Sequence, residues 1–243
     1  MQQIKGLLFD KDGTILDFYK TWIPINRRMA LDAAGGDPDV AAELLRASGH
    51  DPETDIVKPG ALLIGSDVTV IADHFAQVLK NRSSADLYEV VSRNFRDGGA
   101  EHATLIDGSI EEIERLRDAG YRLGLATNDT FDGMQASLGR FSGILDLFEF
   151  CVGCDSGHGA KPEPGMGLAF AQHTGLDPEN CAIIGDSIHD LEMGRRAGFG
   201  LRVGVLSGPY RQVDLEPYAD VVIDSVVELG ALFNLPTKAA TQI

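Results

Sequence analysis

Cysteine, tryptophan and positive charge are all scarce in this chain. Three cysteines in 243 residues make no disulfide framework, and a reducing cytoplasm is the simplest compartment for such a protein. Lysine and arginine number 21 against 37 aspartates and glutamates, giving a formal charge of −16 and a pI near 4.6. That balance argues against a general nucleic-acid surface and an anionic-membrane surface, both of which want a basic face. A small anionic substrate is still admissible, because the charge around one site decides that. No apolar run approaches the roughly 18–20 residues that span a bilayer. The first residues carry no basic region, apolar stretch or small-residue cleavage site of a secretory leader, so none is expected. Internal repeats and low-complexity tracts are also missing. A hydrophobic content of 44% and a mean hydropathy near zero supply ample material for a core.

Short apolar runs are present in number, and most are continuous, as in parallel strands buried on both faces. Strands are expected at 4–9, 121–126, 148–152, 181–184, 201–206 and 221–223. Helical patterns fall between them, at 131–141, 165–173 with Gly175 behind, and 188–197 with Gly198 behind. Ser109-Ile110-Glu111-Glu112 has capping-box spacing and should open a further helix ending near Gly120. This alternation predicts a doubly wound, mainly parallel α/β sheet. From about 18 to 97 the rhythm is lost. Helices are expected there at 18–34 (bent or interrupted near Pro24), 38–47, 68–80 and 84–95. The reading is a core of residues 1–16 and 98–243 with an inserted, mostly helical cap of 17–97. The tail from Thr237 to Ile243 is expected to fray.

In open α/β sheets, sites form beyond the carboxyl ends of the strands. The first strand ends in Asp10-Lys11-Asp12-Gly13-Thr14, the second in Thr127-Asn128-Asp129 and the fourth in Gly185-Asp186-Ser187, with Lys161-Pro162-Glu163-Pro164 upstream of that fourth strand. Two carboxylates about 4 Å apart repel by about 4 kcal/mol at an effective dielectric of 20, so such a cluster calls for a cation. A hard, oxygen-seeking ion such as Mg²⁺ is the natural partner. Gly13 lets the backbone turn sharply beneath a phosphate. Asp190 follows Asp186 by four residues, a spacing that brings side chains together on a helix.

These four motifs, DKDGT, TN, KPEP and GDSIHD, resemble those of the haloacid-dehalogenase-like phosphohydrolases, in order and in spacing. The resemblance covers about two-thirds of the chain, the core; the insertion is similar only as a helical cap, of the kind found in the phosphoglycolate-phosphatase-like branch. It implies that Asp10 is a nucleophile forming an aspartyl-phosphate and that Asp12 is the acid–base partner. Thr127, the backbone N–H of Asn128 and the loop at Gly13 would hold phosphate oxygens, and Lys161 would tie Asp10 to the phosphoryl group. Asp10, the Asp12 backbone carbonyl and Asp186 would ligate Mg²⁺, with Asp190 in support. The implied activity is Mg²⁺-dependent hydrolysis of a small phosphomonoester such as phosphoglycolate. A sugar phosphomutase of the same family shares both aspartates and stays open, as does a non-catalytic phosphate-binding protein. Asp12 argues against the dehalogenase, transport-ATPase and phosphonate-hydrolase branches, which lack it. Leu105-Ile106-Asp107-Gly108 departs from the Pro-Gly turn of many relatives.

Other residues have plainer readings. Arg27 is a candidate contact for an anionic leaving group, with Arg28 and Lys20, although solvated helix positions explain all three. Trp22 reads as packing. Cys151, Cys154 and His158 look like part of a metal site but have no second pair to complete one, so apolar packing is the simpler account. Nothing in the sequence decides the oligomeric state.

Overall fold

The computed structural model describes residues 3–236, and the expected fraying of Thr237–Ile243 lies outside them. Six parallel strands form one sheet: β1 (Gly6–Phe9), β2 (Arg122–Ala126), β3 (Phe150–Val152), β4 (Cys181–Gly185), β5 (Leu201–Val205) and β6 (Val221–Ile223). Their order is β3-β2-β1-β4-β5-β6. Leu7 pairs with Leu123 on one side and Ala182 on the other, so β1 lies at the centre. The chain winds outward from β1 to β3, then returns to β4 and winds the other way. The reversal falls between β1 and β4, which opens a crevice at their carboxyl ends.

Each face of the sheet is covered because each strand is apolar on both sides. One face packs on α5 (Ser109–Asp118), α6 (Phe131–Leu138) and α10 (Leu229–Leu232), through Ile113, Leu116, Met134, Leu138 and Leu229. The other packs on α7 (Gly165–Thr174) and α8 (Ile188–Ala197), through Met166, Phe170, Met193 and Ala197. A short α9 (Gln212–Leu215) lies between β5 and β6.

Between β1 and α5 stand four helices: α1 (Phe18–Ala33), α2 (Pro38–Ala47), α3 (Val68–Leu79) and α4 (Ser84–His102). They share a core of Trp22, Ile25, Met29, Leu44, Phe75 and Val91. Three local expectations need correcting. Helix α1 runs through Pro24 without a break; burial of Trp22, Ile25 and Met29 outweighs a propensity penalty of about 3 kcal/mol. Helix α4 continues well past residue 95, so the junction expected at 97/98 falls inside it. Its Gly98 lies against Ile25 and its Gly99 against Ser137 of α6, where added Cβ atoms would come within 2.7 and 3.2 Å of those side chains. These glycines permit close helix packing and do not end the helix. Ser109 is not an N-cap: that position belongs to Gly108, at φ 82°, and the Ser109 hydroxyl donates to the carbonyl of Ile15.

Candidate active site

The carboxyl end of β1 delivers Asp10 directly beyond Phe9, with its N–H donating to Ile184 O of β4 at 2.9 Å. Asp10 lies between β2 and the fully buried β4, at the crevice, and is only 5% exposed. Lys161, from the segment before α7, reaches it. Its Nζ donates to Asp10 Oδ1 at 2.5 Å, to Asp190 Oδ1 at 2.6 Å and to the Ala126 carbonyl at 3.0 Å. Burial opposes the charge on Lys161, but Asp10 and Asp190 outweigh it and raise its pKa.

Asp190 is held by the start of α8. The Ser187 hydroxyl and N–H both donate to Asp190 Oδ2, at 2.6 and 3.1 Å, closing a capping box. The helix cap at Ser187 is thus what aims Asp190 at Lys161. Both Asp190 oxygens are engaged, which suits a supporting part.

Asp186 differs. Its Oδ2 is buried with no hydrogen-bond partner. A Cβ at Gly208 would lie 1.8 Å from that oxygen, and one at Gly13 would lie 2.3 Å away. Two glycines thus make room around a carboxylate that nothing in the protein satisfies. Burial, then Asp10 and Asp190, drive the Asp186 pKa well up; burial also pushes Asp10 up to about 7, against the pull of Lys161. Among the described residues, Asp10, Asp186 and Asp190 can each bring one oxygen within 4.8 Å of the others. An all-oxygen donor set with an orphaned buried carboxylate fits a hard divalent cation.

Asp12 sits beside this cluster, its side chain 17% exposed, and is held by a residue the sequence reading passed over. Lys11 Nζ lies 2.9 Å from Asp12 Oδ1 and 2.7 Å from Oδ2, and 3.1 Å from Asp129 Oδ2. Lys11 is 1% exposed, and its ammonium stands 5.6 Å from the centroid of the Trp22 ring. A lysine between two aspartates reads as solvated in sequence. The signal available was Asp129, a further carboxylate at the end of the second strand that a buried cation could satisfy. Burial disfavours the charge on Lys11, and the two carboxylates more than restore it.

Thr127 Oγ1 accepts from the Asp129 N–H at 3.1 Å, which leaves its hydroxyl proton free to donate into the crevice. The side chain of Asn128 does more than the backbone part foreseen for it. Its Nδ2 donates to Gly65 O of the cap at 2.5 Å and to Lys161 O at 2.9 Å, while its Oδ1 accepts from Lys161 N at 2.7 Å. It joins β2, the lysine segment and the cap in one contact. Gly13 has φ 79°, and its carbonyl accepts from Ser207 Oγ at 2.6 Å.

The crevice so formed is a small cavity of about 50 Å³. Asp10, Asp12, Thr127, Asn128, Lys161 and Asp186 line it together, with Trp22 and His189 also at its wall. Arg27 does not reach it. Arg27 Nε donates to Asp55 at 2.9 Å and its terminal nitrogen to Pro52 O at 2.6 Å, inside the cap, because those acceptors lie nearer than the crevice. Arg28 pairs with Glu101, and Lys20 with Asp17. Cys151, within β3, and Cys154, just beyond it, are free thiols packed against the apolar core, their pKa values pushed by burial to about 11 and about 12.

Comparison with known proteins finds relatives in sequence and in fold. Residues 4–198 match the sequence family described as haloacid dehalogenase-like hydrolase. A phosphoglycolate phosphatase of Nitrosococcus oceani is 33% identical over 168 residues, covering 67% of this chain and 72% of that protein. An N-acetylmuramic acid 6-phosphate phosphatase of Pseudomonas aeruginosa is 28% identical over 234 residues, 93% of each chain. The fold is shared with a solved haloacid dehalogenase-like hydrolase from Streptococcus pneumoniae, with a TM-score of 0.73 at 23% identity over 96% of this chain and 100% of that one.

Proposed function

This chain belongs to the haloacid dehalogenase-like hydrolases, and from that membership we propose a divalent-cation-dependent phosphatase in which Asp10 attacks phosphorus and Asp12 moves the proton. It is a phosphoric monoester hydrolase, in keeping with its phosphatase relatives. The observation that carries the assignment of roles is the ammonium of Lys161 joining Asp10 to Asp190 beside the unsatisfied carboxylate of Asp186.

In the first step an Asp10 carboxylate oxygen forms a bond to phosphorus as the bond to the ester oxygen breaks. Asp12 gives its proton to that departing oxygen, so the product leaves as an alcohol. The aspartyl-phosphate is then attacked by water, whose proton Asp12 takes, releasing inorganic phosphate and restoring Asp10. Thr127 and the N–H of Asn128 hold phosphoryl oxygens, the turn at Gly13 brings backbone close to them, and Lys161 offsets the negative charge that gathers there. Lys11 keeps Asp12 in place through both of its oxygens. Asp10, Asp186 and the backbone carbonyl of Asp12 would hold Mg²⁺, with Asp190 steadying Lys161 beside them. When bound, that ion supplies charge neutralisation to the nucleophile and the phosphoryl group.

The substrate is a small phosphorylated metabolite, since the cavity is small and the cap closes over it. The reducing cytoplasm is the compartment we propose, on the three free thiols; none of the described helices is long and apolar enough to cross a membrane. The test is phosphate release from a panel of phosphomonoesters with Mg²⁺, beside EDTA and Asp10→Asn controls. Turnover lost on chelation and reduced on the order of 10³-fold or more in Asp10→Asn is expected. Turnover that survives Asp10→Asn would refute the nucleophile.

A further inference from the structure

The cap presents an apolar wall to the reacting centre. Phe18, Trp22, Leu63, Ile64 and Phe95 line the cavity from the cap side, and the rings of Trp22 and Phe95 meet edge-on with centroids 4.7 Å apart. Among the described residues, Lys161 is the only lysine or arginine that lines the cavity, and it is spent on Asp10 and Asp190. Lys11, whose ammonium stands 5.6 Å from the centroid of the Trp22 ring, is held by Asp12 and Asp129. The cap cations Lys20, Arg27 and Arg28 each have a carboxylate partner away from the cavity. Around the same space stand the carboxylates of Asp10, Asp12, Asp129 and Asp186.

A leaving group carrying its own carboxylate would therefore be desolvated against hydrocarbon, with no unpaired lysine or arginine on that wall to meet it and acidic groups opposite. Polar side chains also belong to this lining: Ser66, and Trp22 and His189, whose Nε1 and Nδ1 are buried without a hydrogen-bond partner. They suit a hydroxyl, ether or carbonyl oxygen on an otherwise apolar group. We propose that this phosphatase selects monoesters of an uncharged alcohol or phenol with an apolar face, and discriminates against leaving groups that bear a carboxylate. This rests on the phosphatase reading above and departs from the carboxylate-bearing substrate named for the phosphoglycolate phosphatase relative.

The experiment compares two matched pairs with the full chain and Mg²⁺: phenyl phosphate against 4-carboxyphenyl phosphate, and ethyl phosphate against phosphoglycolate. Within each pair the neutral ester should have the higher kcat/KM, by roughly tenfold or more. Ser66→Arg places a cation in the cavity wall and should narrow each ratio, chiefly by raising turnover of the carboxylate ester. Equal or reversed preference in the unaltered protein overturns the inference while leaving the phosphatase intact. Ratios that Ser66→Arg leaves unmoved in a folded variant also count against it. If no ester of either pair, nor any of the wider panel, is turned over, the phosphatase reading falls and this inference with it.

Discussion

The core rim and the cap use charge in opposite ways. At the rim, Lys11 and Lys161 are buried and each bridges two carboxylates. In the cap, Arg27, Arg28 and Arg46 form single pairs with both partners 42–62% exposed. Buried charge is expensive to desolvate and is kept only where geometry satisfies it, whereas exposed pairs are screened and nearly free to form or break. The difference separates the tasks. On the proposed function, chemistry would reside where charge is buried at strand ends, and selection where the cap lays hydrocarbon over it.

The largest effect should come from breaking a bridge at the rim. Lys161→Met leaves Asp10 and Asp190 buried without their shared cation, and should lower stability by about 3–5 kcal/mol in EDTA. Lys11→Met does the same to Asp12 and Asp129 and should fall in the same range. Urea unfolding of each variant measures this. Added Mg²⁺ should recover part of the loss in Lys161→Met, whose orphaned carboxylates are at the proposed metal site, and less in Lys11→Met. Equal recovery in both would mean that the two bridges are not separate devices.

Much of this rim was legible in the chain, because continuous apolar runs announce buried parallel strands and the residues that follow them must lie at one edge of the sheet. Asp10, Thr127, Lys161 and Asp186 each stand at or near such an end, and the structure brings all four to one cavity. Lys11 was not legible, since its burial depends on Trp22 and Asp129, which arrive from elements 11 and 118 residues away. The cap was legible as helices but not as a wall: the pattern marks Trp22 and Phe95 as apolar without saying that both also face the crevice. Gly98 and Gly99 were not legible as packing contacts for a related reason. A glycine that ends a helix and one that lets two helices touch are alike in sequence, and only Ile25 and Ser137 opposite decide between them.

A smaller effect sharpens the comparison through pH. Burial raises the Asp10 pKa from the ordinary carboxylate value near 3.8 to about 7. A raised carboxyl pKa favours the folded state at low pH, and that contribution is lost as pH rises from about 4 through about 7. In EDTA, Asp10→Asn should therefore raise the melting temperature relative to the unaltered protein at pH 8 and leave it nearly unchanged at pH 4. Mg²⁺ should reverse the order at pH 8, because it binds the ionised form that the variant lacks. A variant that is destabilised in EDTA at pH 8 would mean that the pull of Lys161 exceeds the penalty of burial, and that the rim is organised before any metal binds.

The smallest effect belongs to the cap, and its smallness is the point. Arg28 meets Glu101 at 3.2 Å, but their side chains are 46% and 60% exposed. Coulomb attraction there is weak in high dielectric, is screened by salt, and is offset by the entropy of holding two long side chains together. Arg28→Ala should change stability by about 0–1 kcal/mol and leave kcat/KM for neutral esters within about twofold, since Arg28 lies outside the cavity wall. Urea unfolding and steady-state rates with phenyl phosphate measure both. A large fall in kcat/KM for phosphoglycolate alone would show that Arg28 leaves Glu101 to meet a carboxylate when the cap moves. The cap would then carry mobile charge of its own, and its contrast with the rim would be one of conformation and not of composition.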